Sequence, residues 1–527
     1  MKQKSHLHNI FQGALILTAS NLIAKILSAG YRIPLQNLVG NTGFYVYQQV
    51  YPLYGIGVTL ALSGLPVFIS KLVAEQNSQL EKELLVRQLL KILGVLALIL
   101  VIGGWLSAPL IAEMMGDRML TSVIRSVVLM FCVMPILAVG RGYWQGKYNM
   151  VPTATSQLVE QVVRVTIVIS AAVVAHQFHW DVYKMGSAAM ISAIIAGVFA
   201  SFILGPSLWQ IISRPHNTQL TRSPILPLIK RLVVEGGIVC LFAALIVLFQ
   251  LIDSFTVKRG LVGSGLSATH AKALKGVFDR GQPLVQLGLV IATSFSTMLL
   301  PALTASHVAG KLVEFRRSFR FALHMCITMS LFAAGGLIVL MPQINLLLFA
   351  SRAGSLALAV SMLNIVLVAV ITTYSGALQS LNQFSVTAVG LIGGLGVKAV
   401  LNFYLVKHFE IVGAAVGTVL GLLVTVLIIR SAFPTQLRRL TSDWSFRLKL
   451  VGICAIMMVA VKVTCIISMQ IFGVTRMAML PTVFLSVLVG CLVALGTVFW
   501  WHLFSLKELV TFPGGKRLLI LMRQLKK

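Results

Sequence analysis

Several basic side chains of this sequence lie inside apolar segments, where an unpaired charge is costly. An ionisable group near the centre of a bilayer costs about 2.5 to 3.5 kcal/mol, so it normally faces a cavity or a partner. The basic residues in such segments are Lys25, Arg32, Arg125, Arg164, Lys398 and Lys462. The acidic counterparts are fewer: Glu160, Glu235 and, at a segment edge, Asp253. This excess of cations favours an anionic cargo, because guanidinium groups meet phosphate oxygens with paired hydrogen bonds.

Two of these sites lie in the first half of the chain. Lys25 and Arg32 are two helical turns apart, so both are expected on one face of the first apolar segment. Lys25 is far from either segment end and is expected to reach a cavity, whereas the head group of Arg32 could enter that cavity or extend to the interface. Glu160 and Arg164 have i,i+4 spacing and can neutralise each other, as a structural ion pair or as a substrate contact.

The second half of the chain contributes a further polar group. Lys398 has no acidic residue in its own apolar segment, which indicates exposure to a cavity. Asp279, Arg280 and Gln282 open another apolar segment. Asp279 is expected to neutralise Arg280 in part or to cap the helix. Arg280 is expected to face the cleft, and Gln282 can form hydrogen bonds with hydroxyl or amide groups.

The composition identifies the surroundings in which these side chains must act. Of the 527 residues, 57% are hydrophobic and 11% are charged, and the mean hydropathy is +0.92; an ordinary soluble domain has about 25% charged residues. A soluble enzyme and a disordered chain are therefore excluded. The net charge of +29 comes from Lys and Arg in short connections, and no long hydrophilic segment could form a nucleic-acid-binding module.

Apolar runs of the length that crosses a bilayer, about 20 residues, recur along the whole chain. We predict an all-α, polytopic membrane protein with about 14 transmembrane helices. The predicted spans are 9–32, 45–70, 88–112, 119–140, 153–176, 185–208, 229–252, 281–305, 319–341, 356–379, 384–406, 411–430, 448–472 and 478–504. Lys and Arg concentrate in alternate connections, which places both termini in the cytoplasm. The basic tail 507–527 is expected to lie on the inner leaflet, with a partner-binding motif as the alternative.

The two halves of the chain share a weak internal repeat. At an offset of 234 residues, Gly142 matches Gly376 and Gln145 matches Gln379. At an offset of 235 residues, Leu65-Pro66 matches Leu300-Pro301. An offset of six spans preserves orientation, which indicates parallel repeats. The prediction is two pseudo-symmetric six-helix bundles, 1–212 and 213–430, around a central cleft, followed by two additional spans and the tail in 431–527.

No catalytic motif accompanies these features. The chain has no GxxxxGK[ST] loop for ATP, no HExxH, and no Ser/His/Asp arrangement. Its six cysteines lie in apolar runs without metal-type spacing, and its ten histidines are scattered. We therefore expect a transporter without a catalytic residue, a metal site or a cofactor, with coupling to the membrane potential or to a monovalent cation as a further hypothesis.

Several segments resemble the SpoVB/YtgP-like polysaccharide-biosynthesis proteins. This family belongs to the multidrug/oligosaccharidyl-lipid/polysaccharide (MOP) exporter superfamily, which also contains the MurJ-like lipid II flippases. The similar segments are GALILTASNLIAKILSAGYRIPLQNLVG (13–40), YQQVYPLY (47–54), LPVFISKLVAEQ (65–76), RGYWQGKYNMVPTATSQLVEQVVRV (141–165), FDRGQPLVQLG (278–288), ALQSLNQF (377–384) and VKAVLN (397–402). The resemblance covers essentially all the predicted spans.

The resemblance implies two six-helix bundles forming a V-shaped cleft, and outward flipping of undecaprenyl-diphosphate-linked saccharides. It also implies that basic residues of spans one and eight line the cleft, which are Lys25, Arg32 and the pair Asp279-Arg280 here. MurJ proteins have a further Arg in span two, where this chain has the uncharged stretch 51–60. They also have an acidic residue shortly after the span-eight Arg, where this chain has Gln282-Pro283, so recognition of the head group is expected to differ.

The leading hypothesis is a lipid-linked saccharide flippase that works by alternating access as a monomer in the bacterial plasma membrane. Its partners would be a polyprenyl-diphosphate-linked saccharide, as lipid II or a related precursor, and membrane lipids, with no nucleic acid. A cation-coupled multidrug exporter of the same superfamily is the alternative, and it predicts unpaired acidic residues in the cavity. A third hypothesis is a scaffold for envelope-synthesis enzymes.

Overall fold

The structure is a computed structural model. It describes residues 16–17, 19–214, 225–290, 303, 306–307, 309–381, 383–433 and 443–504. Within these ranges all regular secondary structure is helical, which confirms the predicted all-α class. The predicted helix of the tail and the Leu300-Pro301 pair of the internal repeat lie outside the described residues.

The helices are numbered in chain order. They are α1 (19–30), α2 (Arg32–Val58), α3 (Leu65–Ala74), α4 (Gln79–Met114), α5 (Thr121–Val128), α6 (Met134–Gly146), α7 (Val151–Gln177), α8 (Val182–Ser213), α9 (Ile225–Arg231), α10 (Gly237–Ala243), α11 (Leu245–Gly263), α12 (Ala268–Asp279), α13 (281–290), α14 (Leu312–Phe349), α15 (Ser355–Ser361), α16 (Leu363–Ser380), α17 (Phe384–Ser431), α18 (Trp444–Phe472) and α19 (Met479–Trp500). One-turn π-helices at Thr59–Ser63 and Leu232–Gly236 join α2 to α3 and α9 to α10.

The described helices are long and apolar enough to cross a membrane at least nine times, or eleven times if each of two bent helix pairs counts as one span. Two of the nine, Ala19–Ala74 and Ser385–Ser431, have 56 and 47 residues, whereas one crossing takes about 20. Non-helical backbone interrupts the first at Gly40 and the second at Phe409 and Glu410. Each can therefore supply two spans, and the total of fourteen stays a prediction.

Local sequence explains where these helices begin and bend. Ser78 and Glu81 form a capping box at the start of α4, each side chain bonding the other's backbone N–H. Proline occupies the first turn of α3, α6 and α7, where its missing N–H is not needed. Gly40 has a φ of +68°, a left-handed conformation that favours glycine, and it creates the bend inside α2.

The chain forms two compact units. The first comprises Met1–Leu287 and Thr387–Thr425, and the second comprises Gly288–Val386 and Val426–Lys527. The division into 1–212, 213–430 and 431–527 is not tested by this grouping and stays a prediction.

The first unit has charged residues inside and apolar residues outside. Leu106 and Phe202 are 73% and 69% exposed, while Arg32 and Arg164 are each 1% exposed. A helix surface of this kind suits lipid as its solvent, whereas buried charges must find partners within the protein. In the second unit, aromatic packing joins the helices: the ring of Phe319 stacks on Phe433 at 5.1 Å between centroids.

Candidate functional site

Tyrosines of α2 surround a buried arginine of the same helix. Tyr47, Tyr51 and Tyr54 are spaced i, i+4 and i+7, so their rings share one helix face. The guanidinium carbon of Arg32 lies 4.1 Å from the centroid of the Tyr51 ring. With Tyr31 and a second arginine from α7, these residues form an arginine–tyrosine cage. The cage consists of Tyr31, Arg32, Tyr47, Tyr51, Tyr54 and Arg164.

Arg164 enters the cage from α7 and is held by hydroxyl groups. Its Nη1 donates hydrogen bonds to the hydroxyls of Tyr31 and Tyr47 at 3.1 and 3.4 Å, and its Nη2 donates to Oε1 of Gln161 at 2.8 Å. Its guanidinium carbon is 4.9 Å from the ring centroids of both Tyr31 and Tyr54. Neutral hydroxyls and ring faces thus replace the carboxylates that usually partner a buried arginine.

The cage retains positive charge and unused donors. Neither Arg32 nor Arg164 forms an ion pair with any described residue. Nε and Nη2 of Arg32 and Nε of Arg164 are buried and have no hydrogen-bond partner within the described part of the chain. Buried donors without partners are costly. An anion with several oxygen acceptors could accept hydrogen bonds from all three nitrogens and also neutralise the charge.

The expected pairing of Glu160 with Arg164 is wrong. Oε2 of Glu160 instead accepts a hydrogen bond of 2.6 Å from Nη2 of Arg141 on α6. Arg141 also donates to Oγ of Ser156 at 3.0 Å and to the carbonyl of Ala61 in the first π-helix at 3.1 Å. Glu160 therefore pairs with Arg141, which joins α6 to α7 and to the π-helix. The charge of Arg164 is not neutralised by Glu160.

A polar cleft adjoins the cage. Its unfilled space, counted together with the solvent at its open side, is about 230 Å³. Two predicted site residues, Asp279 and Gln282, line it, and Tyr51 is shared with the cage. The complete lining is Gln48, Tyr51, Pro52, Gln250, Asp253, Ser254, Lys275, Asp279 and Gln282.

Hydrogen bonds inside the cleft differ from those expected. Oδ1 of Asp279 accepts a hydrogen bond of 2.5 Å from Lys275, one turn earlier on α12, so the expected pairing of Asp279 with Arg280 is wrong. Asp279 ends α12 and does not cap the start of α13. Nε2 of Gln250 donates to Oε1 of Gln282 at 2.5 Å and joins α11 to α13.

Lys398 is not exposed to a cavity, contrary to the expectation. Its side chain is 0% exposed, and its ammonium donates to Oδ2 of Asp253 and to the carbonyl of Phe249, both at 2.7 Å. Nδ2 of Asn402 donates to the other oxygen of Asp253 at 3.0 Å and to the hydroxyl of Thr256 at 2.6 Å. The acidic partner lies on α11 and not in the helix of Lys398, which is why inspection of one segment missed it.

Arg280 lies at the junction of α12 with the bend of α2. Its Nη2 donates to Oδ1 of Asn41, which also accepts a hydrogen bond of 3.1 Å from Gln36. The backbone of Gly276 packs against the carbonyl oxygen of Asn41, so closely that a Cβ at position 276 would overlap this oxygen. Residue 40 bends the chain, and α12 packs directly against the bend.

The structure therefore brings some predicted site residues together and separates others. Arg32 and Arg164 meet in the cage, and Asp279 and Gln282 line the neighbouring cleft. Lys25 is exposed on α1, beside the exposed Leu22, Ile23 and Ile26. Lys398 is enclosed against Asp253 and therefore shares no cavity with Lys25, whereas substrate contact by Lys25 and Arg280 stays a prediction.

Sequence reasoning missed the tyrosines and Lys275. The i, i+4, i+7 spacing of the tyrosines was a usable signal, since it predicts one aromatic face on a helix. Lys275 gave no such signal, because its burial depends on packing against another helix. Among the described residues, no group of three His, Cys, Asp or Glu side chains could hold a metal ion.

Two ion-pair clusters join α2–α3 to later helices at points far apart along the chain. Beside the middle of α2, Asp117 accepts hydrogen bonds from Tyr45 and Tyr183 at 3.2 and 2.9 Å. It also pairs with Lys272 at 3.0 Å and with Lys258 at 3.7 Å. We call this group the Asp117 cluster. It joins the connection after α4 to α11 and α12.

The second group, the Glu75 network, lies at the end of α3. Arg231 pairs with Glu75 at 3.0 Å and with Glu235 at 3.0 Å, and Lys71 pairs with Glu235 at 2.8 Å. These side chains are 39 to 55% exposed, so each pair contributes little on its own. About 26 residues separate Lys71 from Tyr45, roughly 40 Å of helix.

The Asp117 cluster lies between membrane-spanning helices and gives a prediction about pH. Burial raises the pKa of Asp117, but the hydrogen bond from Lys272, the charge of Lys258 and the Tyr183 hydroxyl lower it below its ordinary value. The stability contributed by the ionised carboxylate is thus fully present above the ordinary pKa of about 3.9 and is lost only as pH falls through the lowered pKa. We expect the cluster to remain intact from pH 8 to pH 5.

Replacing Asp117 with asparagine should loosen this junction, because two lysines lose their anion. We expect hydrogen exchange protection of residues 258–279 to fall at least tenfold at pH 7, while wild-type protection factors stay constant between pH 5 and pH 8. Glu113→Gln is the matched control, since Glu113 pairs with the 79% exposed Arg118 in the same connection. Equal effects of the two variants would contradict a bridging role for Asp117.

Comparison with known proteins identifies the family of the chain. The sequence pattern described as "Polysaccharide biosynthesis protein" matches residues 10–307. The uncharacterized membrane protein YabM of Bacillus subtilis is 34% identical over 414 residues, which are 78% of this chain and 77% of YabM. The lipid II flippase MurJ of Bacillus subtilis is 26% identical over 446 residues, covering 79% of this chain and 81% of that protein.

The fold is also similar to a solved structure. A lipid II flippase MurJ in an inward closed conformation matches with a TM-score of 0.69 and covers 93% of this chain and 99% of the other, at 15% identity. The resemblance drawn from the sequence segments is confirmed by these matches. The protein is a multi-pass membrane protein that belongs to the polysaccharide biosynthesis protein family.

Proposed function

We propose that this protein moves a polyprenyl-diphosphate-linked saccharide from the inner to the outer leaflet of a bacterial plasma membrane. The observation that supports this most strongly is the arginine–tyrosine cage. It holds two buried guanidinium groups with three unpartnered nitrogens and no carboxylate among its described contacts. A diphosphate supplies several oxygen acceptors and negative charge, which is what this cage lacks.

The physical need for such a protein follows from its cargo. A diphosphate cannot cross hydrocarbon alone, because removing an anion from water without a partner is prohibitive. A cage that replaces water by guanidinium donors lowers this cost, while the prenyl tail stays in lipid. The relatives' names support a lipid-linked precursor as the class of substrate, and lipid II is our first candidate within that class.

Transport is proposed to proceed by alternating access. The Asp117 cluster and the Glu75 network both hold α2–α3 against later helices, at points separated by roughly 40 Å of helix. Opening the cage to one side of the membrane requires one of these groups to separate while the other stays closed. The protein is proposed to act as a monomer, with both termini in the cytoplasm and without a chemical step of its own.

The proposal is tested with the purified protein in vesicles that contain a fluorescent polyprenyl-diphosphate-linked disaccharide. We expect protein-dependent flipping, measured by quenching of the label on the outer leaflet. Outward movement of each net negative charge gains roughly 2.3 kcal/mol per 100 mV with the interior negative. Export should therefore accelerate when an interior-negative potential is imposed. An unchanged rate would exclude the potential as the driving force, and absence of flipping would refute the proposed function.

The same vesicles test the alternative, a cation-coupled multidrug exporter. That function requires carboxylates free to bind a cation. The two carboxylates that line the cleft, Asp253 and Asp279, are each paired with a lysine. We expect no protein-dependent movement of a cationic dye. Dye transport driven by a sodium or proton gradient would favour the exporter, and neither activity would favour a scaffold for envelope-synthesis enzymes.

A further inference from the structure

Three helices of the second unit meet at one end around an aromatic core. The ring centroid of Phe446, at the start of α18, lies 3.8 Å from that of His324 on α14 and 6.2 Å from that of Phe504, just beyond α19. An ion pair of 2.6 Å between Arg320 of α14 and Asp443, the N-cap of α18, lies at the same end. The first turns of α14 and α18 and the end of α19 are therefore neighbours.

Basic side chains collect at this end of the unit. The last turn of α17 also lies here, because Phe433 stacks on Phe319 of α14 at 5.1 Å between centroids. Among the described residues of the second unit, Glu314 and Asp443 are the only acidic side chains, and each already pairs with a basic one. Seven basic side chains therefore leave an excess of five positive charges. We call them the basic face: Lys311, Arg316, Arg317, Arg320, Arg430, Arg447 and Lys449.

The rest of the second unit's sequence does not supply the missing negative charge. Its residues outside the described ranges include eight basic residues and one acidic residue, Glu508. A surface with such an excess of one sign attracts ions of the opposite sign. The anions that balance the basic face must therefore come from outside this unit.

The exposed side of α18 indicates the kind of anion. One face of this helix, with i, i+3, i+4 and i+7 spacing, consists of Trp444, Arg447, Leu448 and Val451. Trp444, Leu448 and Val451 are 68%, 57% and 62% exposed, and Trp500 at the end of α19 is 80% exposed. Tryptophan and arginine are typical of the membrane–water interface, where their apolar parts reach hydrocarbon and their polar groups reach the head groups. The face therefore passes from head-group chemistry to hydrocarbon chemistry along one helix.

We propose that the basic face is a docking surface for anionic phospholipids. Guanidinium groups donate paired hydrogen bonds to phosphate oxygens, while the acyl chains of the same lipids lie along the exposed apolar side of α18. With the termini in the cytoplasm, as proposed above, these lipids belong to the inner leaflet, whose surface potential is negative. The surface uses no residue of the cage and needs no transported substrate, so it stands apart from the proposed function.

Native mass spectrometry of the detergent-purified full chain tests this proposal by measuring the affinity for the first bound lipid. The probes are dioleoyl phosphatidylglycerol and dioleoyl phosphatidylcholine, which share acyl chains and differ in net charge. Each basic residue near an anionic surface strengthens binding about fivefold, so we expect phosphatidylglycerol to bind about tenfold more tightly or better. The variant Arg317→Gln/Arg447→Gln/Lys449→Gln should reduce this preference to about twofold or less.

Two further variants separate this surface from a general attraction between a cationic protein and anionic lipid. Lys82→Gln/Lys91→Gln/Lys230→Gln removes three surface lysines of the first unit and should leave the preference unchanged. Arg317→Lys/Arg447→Lys keeps the charge and should retain most of the preference. Equal losses in the two triple variants, or no preference in wild type, would overturn the proposal. No preference together with tight binding of polyglutamate would assign the surface to an acidic protein partner instead.

Discussion

Replacing Lys398 with methionine is expected to lower the free energy of unfolding by roughly 3–5 kcal/mol, because it leaves Asp253 charged and buried without its partner. Lys398 and Asp253 are 0% and 3% exposed and lie 2.7 Å apart. The double variant Asp253→Leu/Lys398→Met should recover most of this loss, since buried ion pairs replaced by apolar residues are often neutral in stability. Thermal or denaturant unfolding in detergent measures both effects.

Lys407→Met is the matched control, since Lys407 is an exposed lysine of the same helix. It should change stability by less than about 0.5 kcal/mol. A Lys398→Met variant as stable as Lys407→Met would contradict the structural importance of the pair. Transport by the stable double variant then tests the predicted contact between Lys398 and substrate, which full activity would exclude.

Replacing both Arg32 and Arg164 with glutamine is expected to reduce flipping at least 100-fold. A hydrogen bond to a charged group contributes about 1.5–3 kcal/mol, and the double change removes both cations of the cage. Arg32→Lys should recover only part of the activity, because an ammonium keeps the charge but not the paired geometry of a guanidinium. Flipping of a labelled lipid-linked disaccharide in vesicles measures the rates.

Arg118→Gln is the control for this pair of substitutions. Arg118 is a 79% exposed guanidinium that pairs with Glu113 outside the cage, so its loss should leave flipping within about twofold of wild type. Equal rates for wild type and the cage variant would refute the role assigned to the cage. Thermal unfolding of the cage variant in detergent separates lost function from lost folding.

The sequence predicts the class of fold and one half of the candidate site. Apolar runs place the membrane-spanning helices because hydrocarbon tolerates only backbone that is hydrogen-bonded internally. The cost of a buried charge also points to Arg32 and Arg164, which the structure brings into one cage. The fold class is confirmed because it depends on single segments and their solvent, whereas the binding roles of Arg32 and Arg164 stay predictions.

Predictions that depend on contacts between helices fail. Glu160 and Arg164 share a helix face, but α6 supplies Arg141 as a competing partner at 2.6 Å. Lys398 finds Asp253 on another helix, a partner far away in sequence. Spacing within one helix shows which residues could meet, whereas the choice among partners is made by helix packing. Lys275 and the tyrosine rings enter the site through the same packing.

The close contact between Gly276 of α12 and the backbone of Asn41 in α2 limits how α12 can move relative to α2. A side-chain carbon at position 276 would overlap the Asn41 carbonyl, so the two backbones meet with no spare room. Sliding α12 by one residue would bring Lys275 or Val277 to this point and produce a clash. The two helices can therefore separate only by moving perpendicular to their axes. Sliding along the axes is blocked by the clash.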